Sequence, residues 1–241
     1  MLDWLRRSSD ELPVLDLGER SLPVIVRRLA HARRMTLRLA PDGSEVRISV
    51  PRWCRTAEAL AFAASRSDWL ASQLERLPAP APPVPGSLLP FRGEPLPLVH
   101  DRTAPRRPSL AGETILIGGP AEGIERRLRR WLEGEARLLL EADLAHYCAR
   151  AARTAPALAL SNARRRWGSC AGDGTIRINW RLVMAPDFVR RSVVAHEVAH
   201  LAHFDHSPRF HAFLAEIYEA DVAEANHWLK RKGQALYAHF G

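Results

Sequence analysis

His196, Glu197 and His200 form the run His-Glu-Val-Ala-His, and His206 follows six residues later. On a helix, residues four apart lie one turn apart on one face, so the imidazoles of His196 and His200 can grip a single metal ion. Glu197 stands at the edge of that face. Histidine nitrogens with one coordination position left open suit zinc, which polarises a bound water, and a neighbouring carboxylate can take the proton as that water attacks a carbonyl. The chemistry this predicts is peptide-bond hydrolysis, with one zinc per chain and Glu197 as general base.

The third ligand is a question of geometry. His203 would share the face if the helix continued, but three ligands in one row cannot surround a tetrahedral ion. The chain must therefore bend. Phe204-Asp205-His206-Ser207-Pro208 supplies the bend, because Ser207 is a good N-cap and Pro208 suits the first position of a new helix over 209–218. His206 falls in the turn and is the preferred third ligand. His211, Glu216 and Glu219 on the following helix are the alternatives.

The metal-binding helix needs a buried back, which Val193, Val194, Val198 and Leu201 provide. Upstream, a strand over 158–161, a turn at Gly172-Asp173-Gly174 and a strand over 175–183, alternating Ile176, Ile178 and Trp180, lead into it through Pro186-Asp187. A long helix over 121–153, apolar at Ile124, Leu128, Trp131, Leu138, Ala142 and Ala145, precedes them. A closing helix over 221–237 turns Val222, Ala225, Trp228 and Leu229 inward.

Nearer the start, strands over 22–26 and 35–39 are followed by a turn at Pro41-Asp42-Gly43-Ser44 and a strand bearing Val46, Ile48 and Val50, which makes a hairpin. Thr56 caps one helix that runs along Leu60, Ala63, Ser67, Leu70, Leu74 and Leu77. Trp53 and Trp69 read as core or edge packing. Prolines crowd 78–97, which forbids a helix and predicts a spacer or edge segment, with short strands at 96–99 and 114–117. The fold class is α+β: a zincin-like domain with its HExxH helix beside a small sheet, and an N-terminal β-rich lobe. The expected divisions are 1–90 (hairpin, helix and proline-rich linker), 91–120 (short strands joining the lobes) and 121–241 (the catalytic domain).

Composition narrows the function further. No apolar run reaches the length of a membrane span, and the opening Met1-Leu2-Asp3-Trp4-Leu5-Arg6-Arg7 lacks the apolar stretch of a signal peptide, so a cytoplasmic protein is expected. Cys54, Cys148 and Cys170 are odd in number and widely spaced, which argues against a disulfide framework or a cysteine zinc knuckle. The net charge is +8, but only Lys230 and Lys232 are lysines, and the halves divided at residue 120 carry 17 basic against 13 acidic and 18 against 14 residues. Neither half is a basic arm. Nucleic acid is a partner the arginine runs at 126–130 and 164–166 permit without favouring.

In order along the chain, Arg166-Trp167-Gly168-Ser169-Cys170, then Ile176-Arg177-Ile178-Asn179-Trp180-Arg181-Leu182-Val183, then Ala185-Pro186, then His196 to Leu201, then His206-Ser207-Pro208 with Phe210, resemble the bacterial YgjP-like metallopeptidases, relatives of the SprT zinc proteases. The likeness is dense over 120–240 and looser over 20–77. It implies that His196, His200 and His206 hold zinc, that Glu197 is the catalytic base, and that Trp167, Gly168, Ser169 and Cys170 form part of the wall along which a peptide or protein substrate lies. Two positions depart from the family pattern: Asp205 stands where Asn is common, and His211 where Trp is usual. A metzincin is excluded, since His203 occupies the place of its glycine and no Met follows Met184. The alternatives are a SprT or Spartan-like protease acting on DNA–protein crosslinks and an inactive metal-binding scaffold. No zinc knuckle or basic tail supports the first, and the intact Glu197 opposes the second. Tyr218, Asn179, His211 and Arg166 are the candidates for stabilising an oxyanion.

Overall fold

Strands with an apolar residue at every second position build the first sheet. The computed structural model describes residues 12–18, 20–40, 43–75, 77 and 79–240, and the chain divides into two compact units, 1–78 and 79–241. In the first, β1 (Val14–Asp16), β2 (Ser21–Leu29), β3 (Thr36–Leu39) and β4 (Val46–Pro51) form a sheet of order β1-β2-β4-β3. β2 and β4 run parallel, and β3 returns antiparallel to β4, with Leu37 opposite Ile48 and Leu39 opposite Val46. Val24, Val46, Ile48 and Val50 point to one face and are buried there with Ala59, Ala63 and Leu70. The expected opening at Met1 to Arg7, and Pro41 and Asp42 of the expected turn, lie outside the described residues.

Three expectations for this unit are corrected. The single helix from Thr56 is two, α1 (Thr56–Ala64) and α2 (Ser67–Glu75). The Ser65 hydroxyl donates to the Phe62 carbonyl at 2.8 Å, drawing that acceptor out of the helical ladder where the chain breaks. Thr56 is not the cap either: the Arg55 backbone N–H donates to Glu58, while the Thr56 hydroxyl accepts from Arg28 at 2.7 Å. Trp53 and Trp69 are not core residues, being 79% and 45% exposed. The aliphatic strand face and Leu70 already fill the space beneath the helices.

The second unit begins with the proline-rich segment, whose prolines suit an edge. β5 (Leu88–Phe91) is the edge strand of a sheet ordered β5-β6-β8-β7, completed by β6 (Glu94–His100), β7 (Ser109–Ala111) and β8 (Thr114–Ile117). The β5–β6 turn has a second task. Arg92 and Gly93 donate backbone N–H groups to Val183 and Met184 at 2.8 and 3.1 Å, and the Arg92 guanidinium pairs with Asp187. Gly93 has φ 92° and lies so close to Pro186 that a β-carbon would come within 2.9 Å of it, so only glycine fits.

α3 (Ile124–Arg150) passes over this sheet, with Trp131 stacked on Phe91. Its buried stripe advances in steps of four, through Leu128, Leu132, Ala136, Leu140, Leu144 and Cys148, and so winds around the helix. Leu138, Ala142 and Ala145, expected inward, are exposed because the latter half of α3 turns another face to a second partner, the site helix α4 (Asp187–Ala199).

β9 (Leu158–Ser161), β10 (Gly168–Cys170) and β11 (Ile176–Asn179) form a small sheet of order β10-β11-β9 beside α4. The expected strand to 183 ends at Asn179, whose side-chain oxygen accepts the Arg181 backbone N–H and starts a 3-10 turn, Trp180–Met184. α5 (Pro208–Ile217) and α6 (Val222–Lys232) complete the unit, and a further 3-10 turn, Gly233–Tyr237, replaces the end of the expected closing helix. Among the described residues no helix is long and apolar enough to cross a membrane, and Cys54, Cys148 and Cys170 are unpaired.

Candidate metal centre

α4 is buried along Val189, Val193, Val194 and Val198, which fixes its rotation and leaves His196 and His200 on the face that remains. The helix stops where it is needed. His200 is its C-cap, and the next turn brings His206 back over the same face. α5 then starts as its residues dictate, with Pro208 in the first turn and the Ser207 hydroxyl accepting the Phe210 N–H at 3.5 Å.

The bend brings the Nε2 atoms of His200 and His206 each to 3.2 Å from Nε2 of His196, and the three donor atoms lie within 4.8 Å of one another. Two donors on a tetrahedral metal at about 2.0–2.1 Å stand ~3.3 Å apart, which the two separations from His196 match. The protonation state of His196 agrees. Burial, and then the neighbouring imidazoles, lower the His196 pKa to about 4, which keeps it in the neutral form that binds metal. Nδ1 of His200 lies 3.0 Å from the His203 carbonyl, so it carries the proton and leaves Nε2 as the donor. Phe210, fully buried, closes the floor, its ring centroid 4.6–4.9 Å from all three imidazoles.

Glu197 is 6% exposed. Its carboxylate accepts the backbone N–H of Cys170, and burial pushes its pKa up to about 7 against that hydrogen bond and the charge of Arg166. Gly168 is the other wall: a β-carbon there would lie 2.4 Å from Glu197 Oε1, so only glycine admits the side chain. β10, which contributes Gly168, Ser169 and Cys170, is an edge strand, bonded among the described residues only to β11.

The remaining candidates separate. Trp167 is turned away, packed on Tyr237 at 5.4 Å and over Gly233. Asn179 holds the Ala163 carbonyl, and Tyr218 donates to the Phe188 carbonyl at 2.7 Å, so both are occupied within the fold. His211 is exposed, its ring 6.5 Å from His206, and Arg166 is exposed near Glu197. His203 packs edge-on against Phe213 and offers the cluster only its backbone carbonyl. Glu219 accepts from Tyr147 and Arg191, which removes it as a ligand; Glu216 is likewise absent from the cluster. Burial of Cys170 and the negative charges of Glu197 and Asp173 raise its thiol pKa, the opposite of what a nucleophile needs.

Phe210 and the His203 carbonyl have roles that motif reading does not assign. Phe210 had a signal, an apolar residue in the first turn of the helix after the bend. The carbonyl had none, because backbone groups carry no sequence signature.

A family model described as YgjP-like, metallopeptidase domain, matches residues 33–232. No curated protein and no solved structure matches the chain.

Proposed function

We propose, from the premise that this chain belongs to the YgjP-like family, that it is a zinc-dependent peptidase in which His196, His200 and His206 hold the metal and Glu197 is the general base. The single observation that carries this reading is the convergence of three imidazoles beside a buried carboxylate. When bound, the metal would polarise a peptide carbonyl and acidify a water.

The protein's own groups do the rest. Glu197, held between Gly168 and the Cys170 N–H, would take the water's proton and pass it to the leaving amine. The edge of β10 away from β11 supports a substrate laid alongside it as an added strand, bonded through backbone groups other than the Cys170 N–H that Glu197 holds. Of the oxyanion candidates, His211 and Arg166 have side chains not already committed to the fold. A metal-binding scaffold without catalysis would have no use for a carboxylate buried at this cost.

The test is a comparison of the parent with Glu197→Gln on denatured protein substrates, with zinc measured in both. Full zinc with hydrolysis abolished supports the reading; equal hydrolysis by both proteins overturns it.

A further inference from the structure

Between Arg20 and Arg55 the chain has nine arginines against Asp42 and Glu45, so 36 residues carry +7 of the net +8. Halving the sequence at residue 120 hides this, because acidic residues elsewhere in the first half dilute it. The pairing of strands determines where the charge goes. In β2 and β4 even-numbered residues face the buried core, which turns Ile25, Arg27, Arg47 and Ser49 to the opposite face; in β3, Leu37 and Leu39 face the core and Thr36 and Arg38 turn outward.

The register sets these outward residues in two rows across the sheet. One row is Ile25, Arg47 and Arg38, and the next is Arg27, Ser49 and Thr36. Arg38 and Arg47 stand directly opposite each other, a like-charge pair that costs stability unless an anion lies over it. Glu45 pairs with Arg47, and Asp16 lies at the far strand, β1. Arg27, Arg33, Arg34, Arg38 and Arg52 have no carboxylate partner among the described residues. Trp53, two residues past the end of β4, is 79% exposed.

We infer that this sheet face binds single-stranded nucleic acid. Arginine guanidiniums and Ser or Thr hydroxyls are the groups that bind phosphate oxygens, and here they alternate on a rigid, repeating frame. A four-stranded sheet face enters a duplex groove only at the cost of deforming the DNA, whereas a single strand can lie across it undeformed and stack an unpaired base on an open indole. Contacts of this kind go to the backbone and imply little sequence preference. The inference does not depend on the metal centre, and its test requires neither zinc nor catalysis.

Binding of a fluorescein-labelled oligothymidine to the full-length protein, followed by anisotropy across a salt series, tests it. The parent should bind, with affinity falling as salt rises. R27Q/R38Q/R47Q should weaken binding about tenfold or more and flatten the log–log salt slope by ~2, since each phosphate contact on a single strand contributes ~0.7. W53A should weaken oligothymidine about fivefold or more and leave duplex binding unchanged. R102Q/R137Q, which removes equal charge per site from exposed positions elsewhere, should bind as the parent does. If the triple variant does not fold, R38Q and R47Q singly should each take ~0.7 from the slope. Absence of binding, a triple variant that binds like the parent, or tighter binding of duplex, anionic phospholipid vesicles or polyglutamate would overturn the inference.

Discussion

The two ends of α4 bury polar groups in opposite ways. At its start, Arg190 is 2% exposed and fully answered, with Nε on Asp143 at 2.7 Å and Nη1 on Asp187. Arg191 beside it reaches Glu219 at 2.6 Å and the Tyr147 hydroxyl at 3.0 Å. At the other end, three imidazoles meet with their nitrogens facing one another, and Glu197 has a backbone N–H but no guanidinium hydrogen-bonded to it. Charges that are matched where they lie tie α4 to α3 and to the turn after α5. Donor atoms that face one another with no hydrogen atom or charge between them are arranged for something that arrives from outside, and the shape and spacing of this set suit a cation.

That contrast predicts different failures at the two ends. The largest effect belongs to Glu197→Gln, which keeps size and hydrogen bonding but cannot accept a proton. Peptide hydrolysis should fall by about two to four orders of magnitude, with zinc content and thermal midpoint unchanged. Steady-state kinetics with metal analysis on the same sample checks both halves.

Arg190→Met should do the reverse, lowering stability by about 3 kcal/mol in denaturant unfolding, because it takes the 2.7 Å partner from buried Asp143 and leaves it only Arg191 at 3.9 Å. Metal affinity per folded molecule should hold. A destabilisation under 1 kcal/mol would mean that the two ends do not differ as described.

Within the cluster, His206→Ala should weaken zinc binding by tenfold or more in competition with a chelator. His203→Ala should change it little, since the backbone carbonyl that orients His200 survives the substitution. Equal losses in the two variants would place the third ligand wrongly. The smallest effect is expected from Arg191→Ala. Its side chain and that of Glu219 are about a third exposed, and an ion pair in such a position is worth no more than about 1 kcal/mol.

Much of the site could be read from the residues. Spacing put His196 and His200 on one face, and Ser207 and Pro208 marked the bend that carries His206 back, because capping and proline preferences act within a few residues. Expectations failed where a partner distant in the chain chose the outcome. The buried stripe of α3 winds because the helix packs first on a sheet and then on α4, and no single periodicity describes two partners. The strand after Thr175 stops at Asn179 because that side chain caps a turn while also holding Ala163, 16 residues back.

The sequence by itself determined the local elements, the strand alternation, the helix starts and the histidine spacing, since each follows from covalent geometry and neighbours along the chain. Only the tertiary structure decided which glycines had to be glycines. Gly93 and Gly168 are required by Pro186 and Glu197, residues far along the chain that pack where a β-carbon would stand. It also decided which charges are answered. Arg190 finds Asp143 from 47 positions away, whereas Arg38 finds Arg47 only when β3 pairs with β4. Electrostatic energy depends on distance in space, and folding alone sets that distance.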